Sequence, residues 1–194
     1  MFTGLIADLG EITEVARSAD GVVLTVSSSL TGELSAGDSI AVNGVCLTAT
    51  AVRDGHFDAE VMNETLRLSS LAEAGAGRRV NLELPMRVSD RFGGHVVQGH
   101  VDGVGRIVAV TPDGFSRQVE IGAPDDVLRY IVHKGSITVD GISLTVSGLG
   151  ERSFTVSLIP ETLERTNLGD AGIGTIVNLE VDVLAKYVER LIRR

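Results

Sequence analysis

Two short runs carry most of the side chains able to do chemistry near neutral pH. Cys46 stands in Asn43-Gly44-Val45-Cys46-Leu47-Thr48, and Ser143 in Asp140-Gly141-Ile142-Ser143-Leu144-Thr145. A thiol or a hydroxyl becomes a nucleophile when a base or a favourable field activates it. A lone cysteine also serves as a small buried hydrophobe, so both readings of Cys46 stand. His100, in Gly99-His100-Val101-Asp102-Gly103, is the natural proton carrier if it lines a pocket, and a structural or surface residue if it does not. His95 lies five residues earlier. On one strand that odd spacing puts the two rings on opposite faces, which argues against a shared metal. Ser39, Thr48, Ser136 and Thr145 form matched hydroxyl pairs, suited either to strand and turn bonding or to a polyol ligand. Glu64-Thr65 and Glu161-Thr162 read as helix starts or as contacts to a ligand's hydroxyls or ring edge.

These residues belong to a repeated frame. The run Ser39 to Thr48 aligns with Ser136 to Thr145 at a shift of 97 positions, and the same shift carries Glu64-Thr65-Leu66 onto Glu161-Thr162-Leu163. It also carries Val80-Asn81-Leu82-Glu83 onto Val177-Asn178-Leu179-Glu180. Near the start the shift is 95, with Gly4 on Gly99 and Leu5 on His100. A period of this size is a tandem domain duplication. Within it Cys46 pairs with Ser143, which points to matched pockets with different chemistry. Lys134 pairs with Gly37 and Asp182 with Pro85, so the shared fold requires neither.

Each half reads as β structure. Asp-Gly or Asn-Gly pairs at 20–21, 43–44, 54–55, 102–103, 113–114 and 140–141 favour the positive φ of tight hairpins. Short apolar runs between them give about six strands per half, enough to close a small barrel without open edges. The pattern predicts short helices over 64–74 and 125–132 and a clearer one over 183–194. In that tail Leu184, Val188, Leu191 and Ile192 share a face, and Arg190, Arg193 and Arg194 suit the negative end. Its stripe has two destinations, its own barrel or the same helix of other subunits. The expected units are 1–94, 95–184 and a helix over 185–194.

Composition excludes several classes. The 194 residues are 43% hydrophobic and 4% aromatic, without Trp, so Val, Ile and Leu must build the core. The net charge of −9 opposes binding to nucleic acid or an anionic membrane. One Cys rules out an internal disulfide and a Cys-rich zinc site. There is no apolar run of about 18 residues and no basic leader, which predicts a cytoplasmic protein. The Gly-rich stretch 99–105 precedes a strand, so it is not a dinucleotide fingerprint.

Met1-Phe2-Thr3-Gly4-Leu5-Ile6, Asn43 to Thr48, Gly93-Gly94-His95-Val96-Val97-Gln98-Gly99-His100, Asp140 to Thr145 and Ile159-Pro160-Glu161-Thr162-Leu163-Glu164-Arg165-Thr166 together resemble the riboflavin synthases of the α-chain type, over essentially the whole chain. The resemblance implies an all-β fold of two six-stranded Greek-key barrels plus a C-terminal helix. It also implies a homotrimer held largely by that helix. The implied reaction is dismutation of two molecules of 6,7-dimethyl-8-ribityllumazine into riboflavin and 5-amino-6-(ribitylamino)uracil, without cofactor or metal. The site would lie between the N-barrel of one subunit and the C-barrel of a neighbour, two substrates per site.

Matching the motifs places Phe2, Ser39, Cys46, Thr48 and His100 on the N-barrel side. Lys134, Ser143, Leu144, Thr145, Ile159, Thr162 and Asp182 fall on the C-barrel side. Gly4, Leu5, Ile6, Leu47, Glu60, Val61, Met62, Asn63, Glu64, Thr65, Gly99, Val101, Pro160, Glu161, Leu163 and Glu164 would contact the substrates. His100 and Ser143 would assist loss of a C7-methyl proton, and Cys46 or a hydroxyl would add to the acceptor ring or activate water there. Lumazine synthase is a possible further partner. The alternative is a non-catalytic lumazine- or flavin-binding antenna protein on the same duplicated fold. A detached flavin-binding barrel of a reductase fits less well, since the chain has no room for a nicotinamide domain.

Overall fold

The computed structural model describes residues 1–192. Arg193 and Arg194, read above as charges at the helix end, lie outside the described residues. The first barrel comprises β1 (Asp8–Arg17), β2 (Gly21–Ser27), β3 (Ser39–Val42), β4 (Val45–Arg53), β5 (His56–Met62) and β6 (Arg79–Glu83), with α1 (Asn63–Leu68) between the last two. The second comprises β7 (Gly103–Asp113), β8 (Ser116–Gly122), β9 (Ser136–Val139), β10 (Ile142–Leu149), β11 (Ser153–Leu158) and β12 (Ile176–Val181). It carries α2 (Asp125–Leu128) and α3 (Pro160–Arg165), and α4 (Val183–Ile192) closes the described chain. Both barrels are closed, in the orders β1-β2-β5-β4-β3-β6 and β10-β11-β8-β7-β12-β9. All their strand pairs are antiparallel.

Alternation builds each interior. Along β5, Phe57, Ala59 and Val61 point inward and are buried, while Glu60 and Met62 face out. The same period in β11 buries Phe154, Val156 and Leu158. Two separate apolar cores result, centred on residues such as Ile12, Leu24, Ile40 and Phe57 in one barrel, and Ile107, Ile121, Ile137 and Phe154 in the other.

The expected turns form at Asn43-Gly44 and Asp140-Gly141, where all four residues have positive φ. These two turns meet each other. A Cβ on Gly44 would sit 2.6 Å from the Gly141 nitrogen, so neither turn tolerates a side chain at its glycine. Asp102-Gly103 is not a turn. Asp102 instead accepts the Val181 amide (2.9 Å) and pairs with Lys186, and Gly103 opens β7. The helix expected over 64–74 ends at Leu68, because Ser69 is extended (φ −131°), and a separate short turn follows at Ser70–Glu73. The one expected over 125–132 ends at Leu128.

Around the touching turns the barrels share a buried amide lattice with approximate two-fold symmetry. The Asn81 amide N–H donates to Asn43 Oδ1 and the Asn178 amide N–H to Asp140 Oδ1, both at 2.7 Å. Asn81 Nδ2 donates to the Asp140 carbonyl (2.9 Å) and Asn178 Nδ2 to the Asn43 carbonyl (2.8 Å). Asn167 Nδ2 donates to Asp140 Oδ2 (2.8 Å). Asp140 is the one acidic member, and burial pushes its pKa up to about 6, against the hydrogen bonds of Asn178 and Asn167. A raised carboxyl favours folding below the unfolded value of 3.8 and loses that contribution as pH rises to about 6. The thermal midpoint of Asp140→Asn relative to the natural chain should therefore move upward between pH 4 and pH 6.5. A pH-independent difference in calorimetry would contradict this.

Candidate active site

Each barrel is split along one seam. The β4–β5 ladder runs from Arg53↔His56 to Ala49↔Ala59 and stops there. Both strands continue, each paired on its other side only: Val45 to Thr48 with β3, and Glu60 to Met62 with β2. Two backbone edges thus splay into a wedge in the first barrel. The second repeats it. The β10–β11 ladder stops at Val146↔Val156, while β10 reaches back to Ile142 and β11 runs on to Leu158. Cys46 and Ser143 sit at equivalent places on the open edges.

Each wedge is plugged at its base by a chain segment that enters beside the other barrel's strands. The Cys46 amide donates to the Gly99 carbonyl (2.9 Å), and the Ser143 amide donates to the Gly4 carbonyl (2.8 Å). Both glycines have positive φ, +79° and +78°. A Cβ on Gly99 would lie 2.6 Å from Cys46 Cβ, and one on Gly4 equally close to Ser143 Cβ. The two segments pair with each other through Phe2 and Val97, whose amides and carbonyls exchange bonds at 2.7 and 3.2 Å. Val101 continues onto the first barrel's core, and Ile6 onto the second's. Leu5 and His100, exposed equivalents, therefore sit at the second and first wedges respectively.

Buried carboxylates fix both segments. Glu83 Oε1 accepts the Thr3 amide (2.6 Å) and hydroxyl (2.7 Å), and Oε2 accepts the Gly4 amide (3.0 Å). Glu180 Oε1 accepts the Gln98 amide (2.7 Å), and Oε2 those of Gly99 (2.9 Å) and His100 (3.1 Å). Burial raises the pKa of both groups, against the amide hydrogen bonds that favour the anion.

The first wedge presents Ser39 opposite Thr48 and Ala41 opposite Cys46 on the outer face of the β3–β4 hairpin. Phe2 is fully buried and packs with Ala41, Val97 and Cys46, so it supports the thiol from behind. Leu47 and Val61 point into the core, leaving only their backbone to a ligand. Glu60, Met62, Asn63, Glu64 and Thr65 form the other edge and run into α1, where Glu64 pairs with Arg67 (2.6 Å). In the second wedge Ser136 lies opposite Thr145 and Thr138 opposite Ser143. Leu144 and Leu163 pack partly on the core. Ile159 is half exposed, and the run on through Pro160, Glu161, Thr162 and Glu164 forms the far edge as α3. Lys134 precedes the hairpin, with φ +65° where repeat one has Gly37 at +97°.

Sequence reasoning paired Ser143 with His100, but the structure gives it His95. His95 Nδ1 lies 2.7 Å from Ser143 Oγ, and the ring is 7% exposed. Its Nε2 is buried with no hydrogen-bond partner among the described residues. Burial lowers the His95 pKa, and the Asp182 charge opposes that shift. A neutral imidazole against a hydroxyl, with a carboxylate in range to steady the cation, is a general-base arrangement. The contact of His95 with Ser143 escaped the sequence reading because the two are distant in sequence. Glu83 and Glu180 were visible as the last residues of an aligned block, but nothing local showed which amides they receive.

The family model described as the lumazine binding domain matches the chain twice, over residues 3–85 and 98–182, so this is a tandem lumazine-binding-domain protein. Riboflavin synthase of Mycobacterium bovis is 56% identical over 198 residues, covering 100% of this chain and 98% of that one. Those of Actinobacillus pleuropneumoniae and Bacillus subtilis are 46% and 40% identical, covering 90% and 91% of their own lengths and 99% and 100% of this chain. The chain belongs to the riboflavin synthase family. Crystal structures of LumP complexed with riboflavin and with 6,7-dimethyl-8-(1'-D-ribityl) lumazine superpose with TM-scores of 0.86 and 0.85 at 22% and 21% identity, over 93% of this chain and 99% of each, and share the fold.

Lys134 in a left-handed conformation costs about 1–2 kcal/mol relative to glycine. Lys134→Gly should hold or raise the thermal midpoint while weakening substrate binding. A variant that melts lower, with unchanged KM, would remove the residue from the site.

Proposed function

We propose that the chain is a riboflavin synthase that binds two molecules of 6,7-dimethyl-8-ribityllumazine and transfers a four-carbon unit between them. The observation that carries this reading is the duplicated wedge with both copies fully equipped, Cys46, Thr48 and His100 in one and Ser143, Thr145 and His95 in the other. Two copies of one substrate need two similar pockets, and opposite roles need different side chains in them. The four carbons leave one ring and join the other, so riboflavin and 5-amino-6-(ribitylamino)uracil together hold all atoms of the two substrates. No oxidant or reductant is consumed.

In the second wedge Ser143 takes up the C7-methyl proton while His95 accepts the hydroxyl proton. Asp182 steadies the resulting imidazolium, and Lys134, Thr145, Ile159 and Thr162 hold the substrate. In the first wedge His100 handles protons, and Cys46, Ser39 or Thr48 adds to the ring or activates water. Open backbone of residues 4–6, 60–65, 99–101 and 159–164 bonds the ring edges. Holding two rings face to face contributes up to about 7–11 kcal/mol of the barrier reduction. Mixing the protein with the lumazine should yield one riboflavin per two substrates. His95→Asn should lower kcat about 100-fold, the scale of general-base assistance. Tight binding without riboflavin would instead establish an antenna protein.

In this reading the two wedges that face each other belong to neighbouring chains, and α4 supports a homotrimer. Its polar side is tied to the second barrel, Glu189 to Arg129 and to the Tyr130 hydroxyl, and Lys186 to Asp102. Its stripe stays open, with Leu184 60%, Val188 54%, Leu191 65% and Ile192 76% exposed. The stripe thus leaves its own barrel and is open to the same helix of other subunits, which supports reading 185–194 as an oligomerisation unit beside barrels at 1–94 and 95–184. A cytoplasmic location goes with this reading; no helix among the described residues is long and apolar enough to cross a membrane. Light scattering should give three times the 20.4 kDa chain mass, and Leu191→Glu should reduce it to one. An unchanged mass would reject the helix contact. Lumazine synthase is a further partner under this reading, and its failure to co-sediment would exclude it.

A further inference from the structure

Glu83 and Glu180 are 6% and 4% exposed and take no part in the proton transfers above. Each nevertheless ties down a segment that serves the opposite barrel. Glu180 is the penultimate residue of a strand of the second barrel, yet the amides it receives belong to Gln98, Gly99 and His100, at the first wedge. Glu83 ends a strand of the first barrel, yet it receives Thr3 and Gly4, at the second wedge. We propose that these carboxylates are positioning residues that act across the barrel boundary, Glu180 setting the Cys46–His100 wedge and Glu83 the Ser143 wedge. The proposal rests on the reading of the wedges as lumazine sites.

The geometry leaves little slack. Three donors converging on one carboxylate orient successive peptide planes, and charge-assisted bonds are about twice as strong as neutral ones. Downstream, the Gly99 carbonyl bonds the Cys46 amide at 2.9 Å, with room for no atom larger than hydrogen between the Gly99 and Cys46 backbones. A shift of the segment therefore moves both Cys46 and the ring of His100. Misplacement of about 1 Å costs about 100-fold in rate. Glutamine cannot replace the clamp, because its NH2 group would face an amide N–H that needs an acceptor. The clamps hold different amides, although their segments touch where Phe2 meets Val97 and where the Thr3 carbonyl accepts the His95 amide, so each variant should damage its own wedge far more than the other. Loss of overall stability would affect both.

Cys46 is the chain's single thiol, so its alkylation by iodoacetamide reports on the first wedge alone. Quenching of riboflavin fluorescence reports on both. Without ligand, Glu180→Gln should raise the alkylation rate at least 5-fold, while Glu83→Gln stays within 2-fold of the natural protein. With riboflavin, Glu180→Gln should need at least 10-fold more ligand to protect Cys46 and keep its other site within 2-fold. Glu83→Gln should do the reverse. Equal effects of either variant on both wedges, or no effect of either, would overturn the proposal. If Glu180→Gln does not fold, Glu83→Gln decides alone: unchanged Cys46 protection with a weakened second site supports the clamp, and any other pattern refutes it. A natural protein that binds no riboflavin would overturn the ligand reading, and the unliganded alkylation rates would still judge the clamp.

Discussion

A strand edge that leaves its ladder inside a barrel must satisfy its backbone groups by other means, and this molecule is organised around two such edges. A buried N–H or C=O without a partner costs about 1–3 kcal/mol, so a split seam is tolerated only if something fills it. At Cys46 and Ser143 a glycine carbonyl does so. Only glycine fits, because of the positive φ and the close approach. The rest of each edge stays open, which is what a flat heteroaromatic ring with donors and acceptors on its rim requires. Under the proposed function the wedge is both a gap in the fold and the place a ligand would complete.

Much of the fold was legible in the sequence, and for a physical reason. Turn glycines, strand alternation and the aligned blocks are local signals, and a closed barrel of short antiparallel strands is assembled from local signals. Equivalence of Cys46 and Ser143 followed from the repeat alone. The crossing of residues 1–6 and 95–101 did not, because irregular backbone has no period that tells which barrel it docks on. The same blindness hid His95, whose partner Ser143 is 48 residues away, and misread Asp102-Gly103, where a side chain is spent on Lys186 and the Val181 amide.

The two halves share a frame and differ where a frame does not need them to agree. Gly37 relaxes a left-handed position that Lys134 holds under strain. Leu5 becomes His100, and Asn43 becomes Asp140 in an otherwise symmetric amide lattice. None of these exchanges disturbs the core, whose apolar interiors are built alike in both barrels. These exchanges lie at the wedges and along the axis between the barrels, where a side chain can alter proton handling or charge without altering packing.

The touching turns at Gly44 and Gly141 and the bridge between Phe2 and Val97 bear on descent. A polypeptide of one repeat would own a split barrel and a loose glycine segment that fits only a second copy. Two such chains, exchanging segments about the axis where the turns meet, would each complete the other. In such a lineage pairing precedes gene fusion, and fusion frees the copies to specialise: one could keep a thiol and the other a hydroxyl backed by histidine.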